Sequence, residues 1–470
     1  MKKTKIIATI GPASFDINVL KEMVLNGADV IRINLSHADF KFCDKAIKMV
    51  REIEKSLDKP LGIMLDLCGP SVRIDKFIEN NVTLQKDKEI KIYNYPVICN
   101  NTQFSVNYHD YVKYLSLDDE ILLNDGKVVL KVIGIENDYA NLLVVEGGNV
   151  RSNETIYIKN KAIPMPFLND KDYEAILYGI KKNVDFLALS YVRDEQDVLK
   201  VIDMLIEHDN NHIAIISKIE NMSAISNLDE IVKVSDGLMV ARGDLAVEVS
   251  FEKLPTLSKM ILEKAREKEK IGIVATDFLL SMEEELRPAR SEITDIYNAV
   301  MDKCDAILLS GETTVGKHPA LSVDTLSKIL TSAEEDFDYD SNFNEVFQNS
   351  LNDITSNIAY SVYSTAKNLN ARCIITNTNS GYTALKISYI KCPCPIIAFS
   401  PNIDTLRLLT INYGVIPKKS IECKSTDTII KMCVKKAHKD FDFLEGDIVI
   451  VTGGFPINIK NTNFMKVEVI

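Results

Sequence analysis

Lys218 and Glu220 stand two residues apart, as do Arg242 and Asp244, and each pair closes an apolar run. The first run is Ile213-Ala214-Ile215-Ile216-Ser217 and the second Gly237-Leu238-Met239-Val240-Ala241. Buried strands normally hand over to turn residues, not to clustered charge. If both runs are strands of one parallel sheet, two carboxylates, a lysine and an arginine meet at one edge. Glu220 and Asp244 suit Mg2+ or Mn2+, which accept few carboxylates and keep positions open for water and substrate. Lys218 is a compact cation suited to an oxyanion or a phosphoryl group in transit, with a Schiff-base lysine as the rival role. Gly243 permits close backbone approach, and free N–H groups beside it can hold a carboxylate or phosphate. Arg32 supplies a fork for phosphate oxygens. Thr276 is a neutral hydroxyl able to hold a substrate or a water in a proton relay. These residues alone reach a metal-dependent enzyme acting on a small phosphorylated or carboxylated acid.

Such residues need a scaffold that gathers strand ends. Eight short apolar runs alternate with amphipathic stretches: TKIIATI, ADVIRINL, LGIMLDL, VDFLALSY, IAIISKI, GLMVAR, GIVAT and DAILLS. This rhythm predicts a closed (β/α)8 TIM barrel, with reactive groups at the carboxyl ends of the strands. An open doubly wound sheet is the alternative, but no glycine-rich dinucleotide fingerprint accompanies it. Arg32, Asn34, Ser36 and His37 fall at the end of the second run, Asp66 at the third, and Ser190, Tyr191 and Arg193 at the fourth. The Ser310 to Thr313 tract after the eighth reads equally as a helix cap.

Between Arg73 and Pro164 the pattern changes to short β-like runs, with a hairpin signal at Asn124-Asp125-Gly126. An inserted all-β domain over 73–164, a small β-barrel, is expected to cap the site as a lid. The barrel then comprises 1–72 and 165–341. The acidic stretch Glu334 to Asp340 reads as a linker, and 342–470 as a C-terminal α/β regulatory domain.

The chain has 470 residues, 46% of them hydrophobic, and a net charge of −12. The acidic balance disfavours a nucleic-acid partner, and no apolar run is long enough for a membrane span. The opening MKKTKIIATIG reads as a strand rather than a secretion signal. The nine cysteines form no CxxC pair, which suits free thiols and a cytoplasmic location.

At these residues the chain resembles the pyruvate kinase family: TKIIATIGPAS, IRINLSH, LD-x-x-GP-x-x-R, NDG, SKIEN, SDGLMVARGDL, PARSE-x-x-D-x-x-NAV and LLSGET occur in family order. The resemblance covers essentially the whole length. It implies transfer of the phosphoryl group of phosphoenolpyruvate to ADP in glycolysis, giving pyruvate and ATP. It further implies that Lys218 stabilises the phosphoryl group in flight, and that Glu220 and Asp244 hold Mg2+. Gly243 and Asp244 would cradle the substrate, Thr276 sit near the enol methylene, and Arg32 grip phosphate. Asn34, Ser36 and Asp66 match the monovalent-cation ligands, with Leu67 at that site by its backbone only, and Asn34 to His37 with Arg73 match nucleotide contacts. Thr378, Ser380 and Thr383 match a sugar-phosphate effector site, and a homotetramer is implied.

Several positions depart from the family pattern. After Asp66 the family has Thr-Lys-Gly-Pro-Glu where it needs potassium, and members with Leu for that Thr carry Lys for the Glu and need none. Here the segment is Leu67-Cys68-Gly69-Pro70-Ser71, so K+ is expected to activate weakly or not at all. Asn153-Glu154-Thr155 occupies the place of the lid's nucleotide-binding lysine, which predicts weaker ADP binding. Asp277 replaces a usual Gln. These departures motivate a second reading, a metabolite sensor without efficient nucleotide use; a metal-dependent aldolase handling an enolate is the third.

Overall fold

The computed structural model describes residues 1–124, 126–159, 161, 163–210, 212–348, 353–420, 426–454 and 462–470. Strands β1 (Lys5–Thr9), β2 (Val30–Asn34) and β3 (Gly62–Asp66) begin a parallel sheet. The chain then leaves it for a mostly-β domain: β4 (Asn81–Leu84), β5 (Glu89–Tyr93), β6 (Gln103–Ser105), β7 (Glu120–Leu123), β8 (Val128–Ile135), β9 (Tyr139–Glu146), β10 (Gly148–Arg151) and β11 (Tyr157–Ile158). It returns through β12 (Phe186–Leu189), β13 (Ala214–Ile219), β14 (Gly237–Ala241), β15 (Ile271–Ala275) and β16 (Ala306–Leu309). The eight parallel strands close in the order β1-β16-β15-β14-β13-β12-β3-β2. The expected barrel is present, and every predicted strand of it is found.

Strand periodicity explains why charge collects at one end. Val30, Met64, Phe186, Ala188, Ile216 and Met239 pack inside the barrel, while Ile31, Ile63, Leu187 and Ile215 face the surrounding helices. Side chains alternate along a strand, so two residues beyond each inner apolar position the next inward side chains are Arg32, Asp66, Ser190 and Lys218. The interior is apolar below and charged above.

The lid's strands pair as a six-stranded sheet, β11-β7-β8-β9-β5-β6, and a two-stranded ribbon, β10-β4. Arg73 bridges Thr155 beside β11 and Ile74 bridges Val106 beside β6, so one segment spans the two edges of the six-stranded sheet around a single core. β7 and β8 do form the predicted hairpin, although Asp125 of its turn lies outside the described residues.

The C-terminal sheet runs β19 (Val415–Lys419), β18 (Ile396–Ser400), β17 (Cys373–Asn377), β20 (Ile448–Gly453), β21 (Phe464–Val469), with β21 antiparallel. β19 carries Pro417 and two lysines, which hide it from a pattern search and suit an edge strand. The stretch Glu334 to Asp340 is not a free linker. Glu334 is buried and its carboxylate accepts from the N–H groups of Lys3 and Thr4, while Phe337 is buried and Tyr339 opens the helix Tyr339–Gln348. No helix among the described residues is long and apolar enough to cross a membrane.

Candidate active site

The charged layer is a continuous network. Arg32 Nε donates to Asp66 Oδ2 at 2.7 Å and Nη1 to Thr9 Oγ1 at 3.0 Å. Lys218 Nζ lies 3.3 Å from Asp66 Oδ1, 2.9 Å from Glu220 Oε1 and 2.8 Å from Ser190 Oγ. Burial works against the lysine's charge, but Asp66, Glu220 and Asp244 outweigh it and hold its pKa above the usual value. Lys218 is therefore a fixed cation, which disfavours the Schiff-base role, since that needs a neutral amine.

Tyr191 connects the two carboxylates. Its N–H donates to Glu220 Oε2 and its phenol to Asp244 Oδ1, at 2.5 and 2.9 Å. Tyr157, from β11 of the lid, donates to the same Asp244 oxygen. Burial, then the Asp244 charge, raises both phenol pKa values well above normal, so both remain donors. The lid thus reaches the site through a side chain that sequence reasoning missed. Tyr157 lies in a two-residue strand with no local signal, and only the pairing of β11 with β7 brings it over the barrel.

Gly243 N donates to Thr276 Oγ1 at 3.0 Å. A Cβ at Gly243 would stand 3.8 Å from both Thr276 Cγ2 and Oγ1, filling the hollow between the two loops. Thr276 and Asp277 both have positive φ, +76° and +58°, an unfavourable conformation for a β-branched residue. Arg242 braces that turn: it donates to Ala275 O and Thr276 O, pairs with Asp295 and stacks over Phe278. Its guanidinium is a clamp on the β15 turn, which takes it out of the group expected to meet at one edge with Lys218 and the two carboxylates. Glu312 is likewise internal, accepting from Leu279 N and Ser310 N, which gives the Ser310 to Thr313 tract its bracing role.

The second group of positions adjoins the first through the β2–β3 register, Asn34 opposite Asp66. Arg73 donates to Ser36 Oγ, Ser71 Oγ and Asn153 O, joining barrel, hinge and lid. All three acceptors are neutral, so its charge is available to an anion. His37 is exposed beside it. Asn34 Oδ1 accepts from Ser36 N, and Leu67 O from Ser190 Oγ. The effector positions lie in the other α/β layer. Thr378 Oγ1 accepts from Gly381 N, Thr383 Oγ1 meets Thr462 Oγ1 at 2.7 Å, and Ser380 is exposed.

No group of three or more His, Cys, Asp or Glu fit to hold a metal occurs among the described residues. Two carboxylates with open positions is still the oxygen set Mg2+ accepts. Glu220 Oε1 is buried without a directed hydrogen bond, the Lys218 contact lacking the geometry. That oxygen faces the Lys218 ammonium, so a metal ion there would share it with the lysine.

A closed barrel with a fixed lysine, two carboxylates and a β lid defines an enzyme that moves charged groups by positioning, a phosphotransferase without a covalent nucleophile. Comparison with known proteins agrees. The family model "Pyruvate kinase, barrel domain" matches residues 1–323 and "Pyruvate kinase, alpha/beta domain" matches 356–468. The chain is 36% identical to a pyruvate kinase of Sporosarcina psychrophila, over all of this chain and 81% of that one. It is 35% and 36% identical to pyruvate kinases of Clostridium perfringens and Clostridium acetobutylicum, over the full length of both partners. The chain belongs to the pyruvate kinase family.

Proposed function

We propose that this chain is an active pyruvate kinase, moving the phosphoryl group of phosphoenolpyruvate to ADP. The observation that supports it best is Lys218, held as a cation between Asp66 and Glu220 beside the Asp244 carboxylate. A passive binder has little need of a fixed ammonium there together with Thr276. The lid and the C-terminal domain argue against an aldolase.

In this reading the enol oxygen–phosphorus bond breaks as the phosphorus–oxygen bond to ADP forms, and the enolate takes a proton at its methylene carbon. Lys218 and Arg32 hold the phosphoryl oxygens, Arg32 through Nη2, which has no hydrogen-bond partner among the described residues. Thr276 Oγ1 accepts from Gly243 N, which leaves its own proton free to point at the methylene. Arg73, with Asn34 and His37, orients the nucleotide phosphates. Glu220 and Asp244 would hold Mg2+ or Mn2+, which supplies charge neutralisation between substrate phosphate and carboxylate.

Potassium is expected to activate weakly or not at all, because Leu67 and Ser71 stand where potassium-requiring members of the family carry Thr and Glu. The sugar-phosphate effector reading rests on the open Ser380, since Thr378 and Thr383 are engaged within the domain. A homotetramer is proposed from the family resemblance alone, and the cytoplasm from the free described cysteines. We place the domain divisions at 72/73, 164/165 and 341/342. A coupled assay of ATP formation from phosphoenolpyruvate and ADP with Mg2+ tests the function; absence of turnover with retained phosphoenolpyruvate binding would instead favour the sensor.

A further inference from the structure

We infer that Tyr157 and Tyr191 are positioning residues for the carboxylate pair, and that Tyr157 couples the lid to Asp244. The inference rests on the reading of Glu220 and Asp244 as the divalent-metal ligands. Tyr191 holds one oxygen of each, Glu220 Oε2 by its N–H and Asp244 Oδ1 by its hydroxyl. It does so with φ at +57°, a conformation a bulky residue adopts only when its surroundings impose it. The outcome is geometric. One oxygen of each carboxylate is tied to Tyr191, while the phenols leave Asp244 Oδ2 alone and Glu220 Oε1 faces only the Lys218 ammonium.

Tyr157 adds a component from another domain. Its hydroxyl donates to Asp244 Oδ1 and lies 3.0 Å from that of Tyr191. Three contacts share two phenolic protons, and sending both to the charged carboxylate leaves the hydroxyl–hydroxyl contact without one. β11 is bonded to β7 of the six-stranded sheet, so Tyr157 moves with the lid. With the lid displaced, Asp244 keeps one donor rather than two. By linkage, whatever fixes Asp244 favours the lid position that brings Tyr157 to it, and to the same extent in reverse.

Removing an outer partner of a metal ligand typically weakens metal binding by roughly 10–100-fold. The experiment is Mn2+ titration of the substrate-free full chain, by calorimetry or by paramagnetic resonance of unbound Mn2+. Tyr157→Phe keeps the ring and is expected to weaken Mn2+ binding about 10-fold, with an unchanged thermal midpoint; Tyr191→Phe should do the same. Hydrogen exchange gives a second readout: Mn2+ should slow exchange around residues 151–158 in the wild type and not in Tyr157→Phe. Glu220→Gln is the control for the metal reading. If it loses Mn2+ while both tyrosine variants bind as the wild type does, with lid protection retained, the positioning role is overturned and the metal site stands. If Glu220→Gln binds Mn2+ normally, or the wild type binds none, the metal reading fails and this inference with it.

Discussion

Lys218 is the residue on which both charge balance and chemistry converge. It is a buried cation facing Asp66 and Glu220; without it Asp66 keeps Arg32, while Glu220 loses its ion pair. Lys218→Met should lower kcat in the coupled assay by at least about a thousandfold, the scale at which electrostatic stabilisers act. Uncompensated buried charge would also cost stability, so Lys218→Arg is the companion variant. It retains the charge and should fold like the wild type yet remain slow, because a planar fork does not replace a compact ammonium; full activity in either variant would remove Lys218 from its role. A second expectation concerns the cation positions. Ser36 Oγ accepts from Arg73 and both Asp66 oxygens face protein cations, so initial rates in K+, Na+ and choline buffers should coincide. A strict K+ requirement would show that these donors do not substitute for the ion. Most of this site was legible because charge interrupting an apolar run is rare. Arg242 was misplaced for the same reason: the pattern locates a strand end, not which way a long side chain turns there.

Turns after strands set the site's precision. The Thr276–Asp277 turn is left-handed at two successive non-glycine residues, and Arg242 secures it through two backbone carbonyls, Asp295 and the Phe278 ring. Arg242→Ala should let the turn relax and carry the Thr276 hydroxyl away from Gly243. Displacement of about 1 Å at a reacting group can cost around a hundredfold, so kcat should fall on that scale while Mn2+ affinity is kept. Equal kcat would mean the turn is held by other contacts. At this scale the sequence was readable wherever an element has a period. The barrel strands and their helices show it, whereas β6 and β11 are too short to alternate, β10 opens on Gly148-Asn149 and β19 is broken by proline. The run between β13 and β14 forms two short helices, Met222–Ser226 and Leu228–Val234, because Asn221 caps the first and Asn227 interrupts the pair.

The opposite mouth of the barrel is closed by the C-terminal domain. Ile411 is fully buried and packs with the barrel's inner residues Ile7, Val30, Phe186 and Ile271, with Leu408 beside it. Around this plug, Arg407 pairs with Glu54, Glu54 with Arg51, and Arg51 with Asp185. Burial raises the Asp185 pKa from 3.8 to about 6, against the pull of Arg51. A raised carboxyl pKa means the folded chain binds its proton more tightly than the unfolded chain does. The Asp185 contribution to stability is therefore full below about pH 4, falls as pH rises towards 6, and is flat above, by at most about 1.4 kcal/mol per pH unit. Asp185→Asn, which mimics the protonated form, should gain on the wild type in thermal midpoint across that window; a constant difference between the two would contradict the shift. No sequence pattern announces this contact surface, since Ile411 sits in a short turn of the chain and its partners lie hundreds of residues earlier. Its consequence is that the barrel and the C-terminal domain share one core layer. Ile411→Ala removes buried methyl groups that touch both, at a cost of about 2–5 kcal/mol. Because the lost contacts belong to both domains, calorimetry should show the barrel and C-terminal transitions moving down together. A C-terminal transition that shifts alone, with the barrel's unchanged, would show that Ile411 fills the mouth without joining the two.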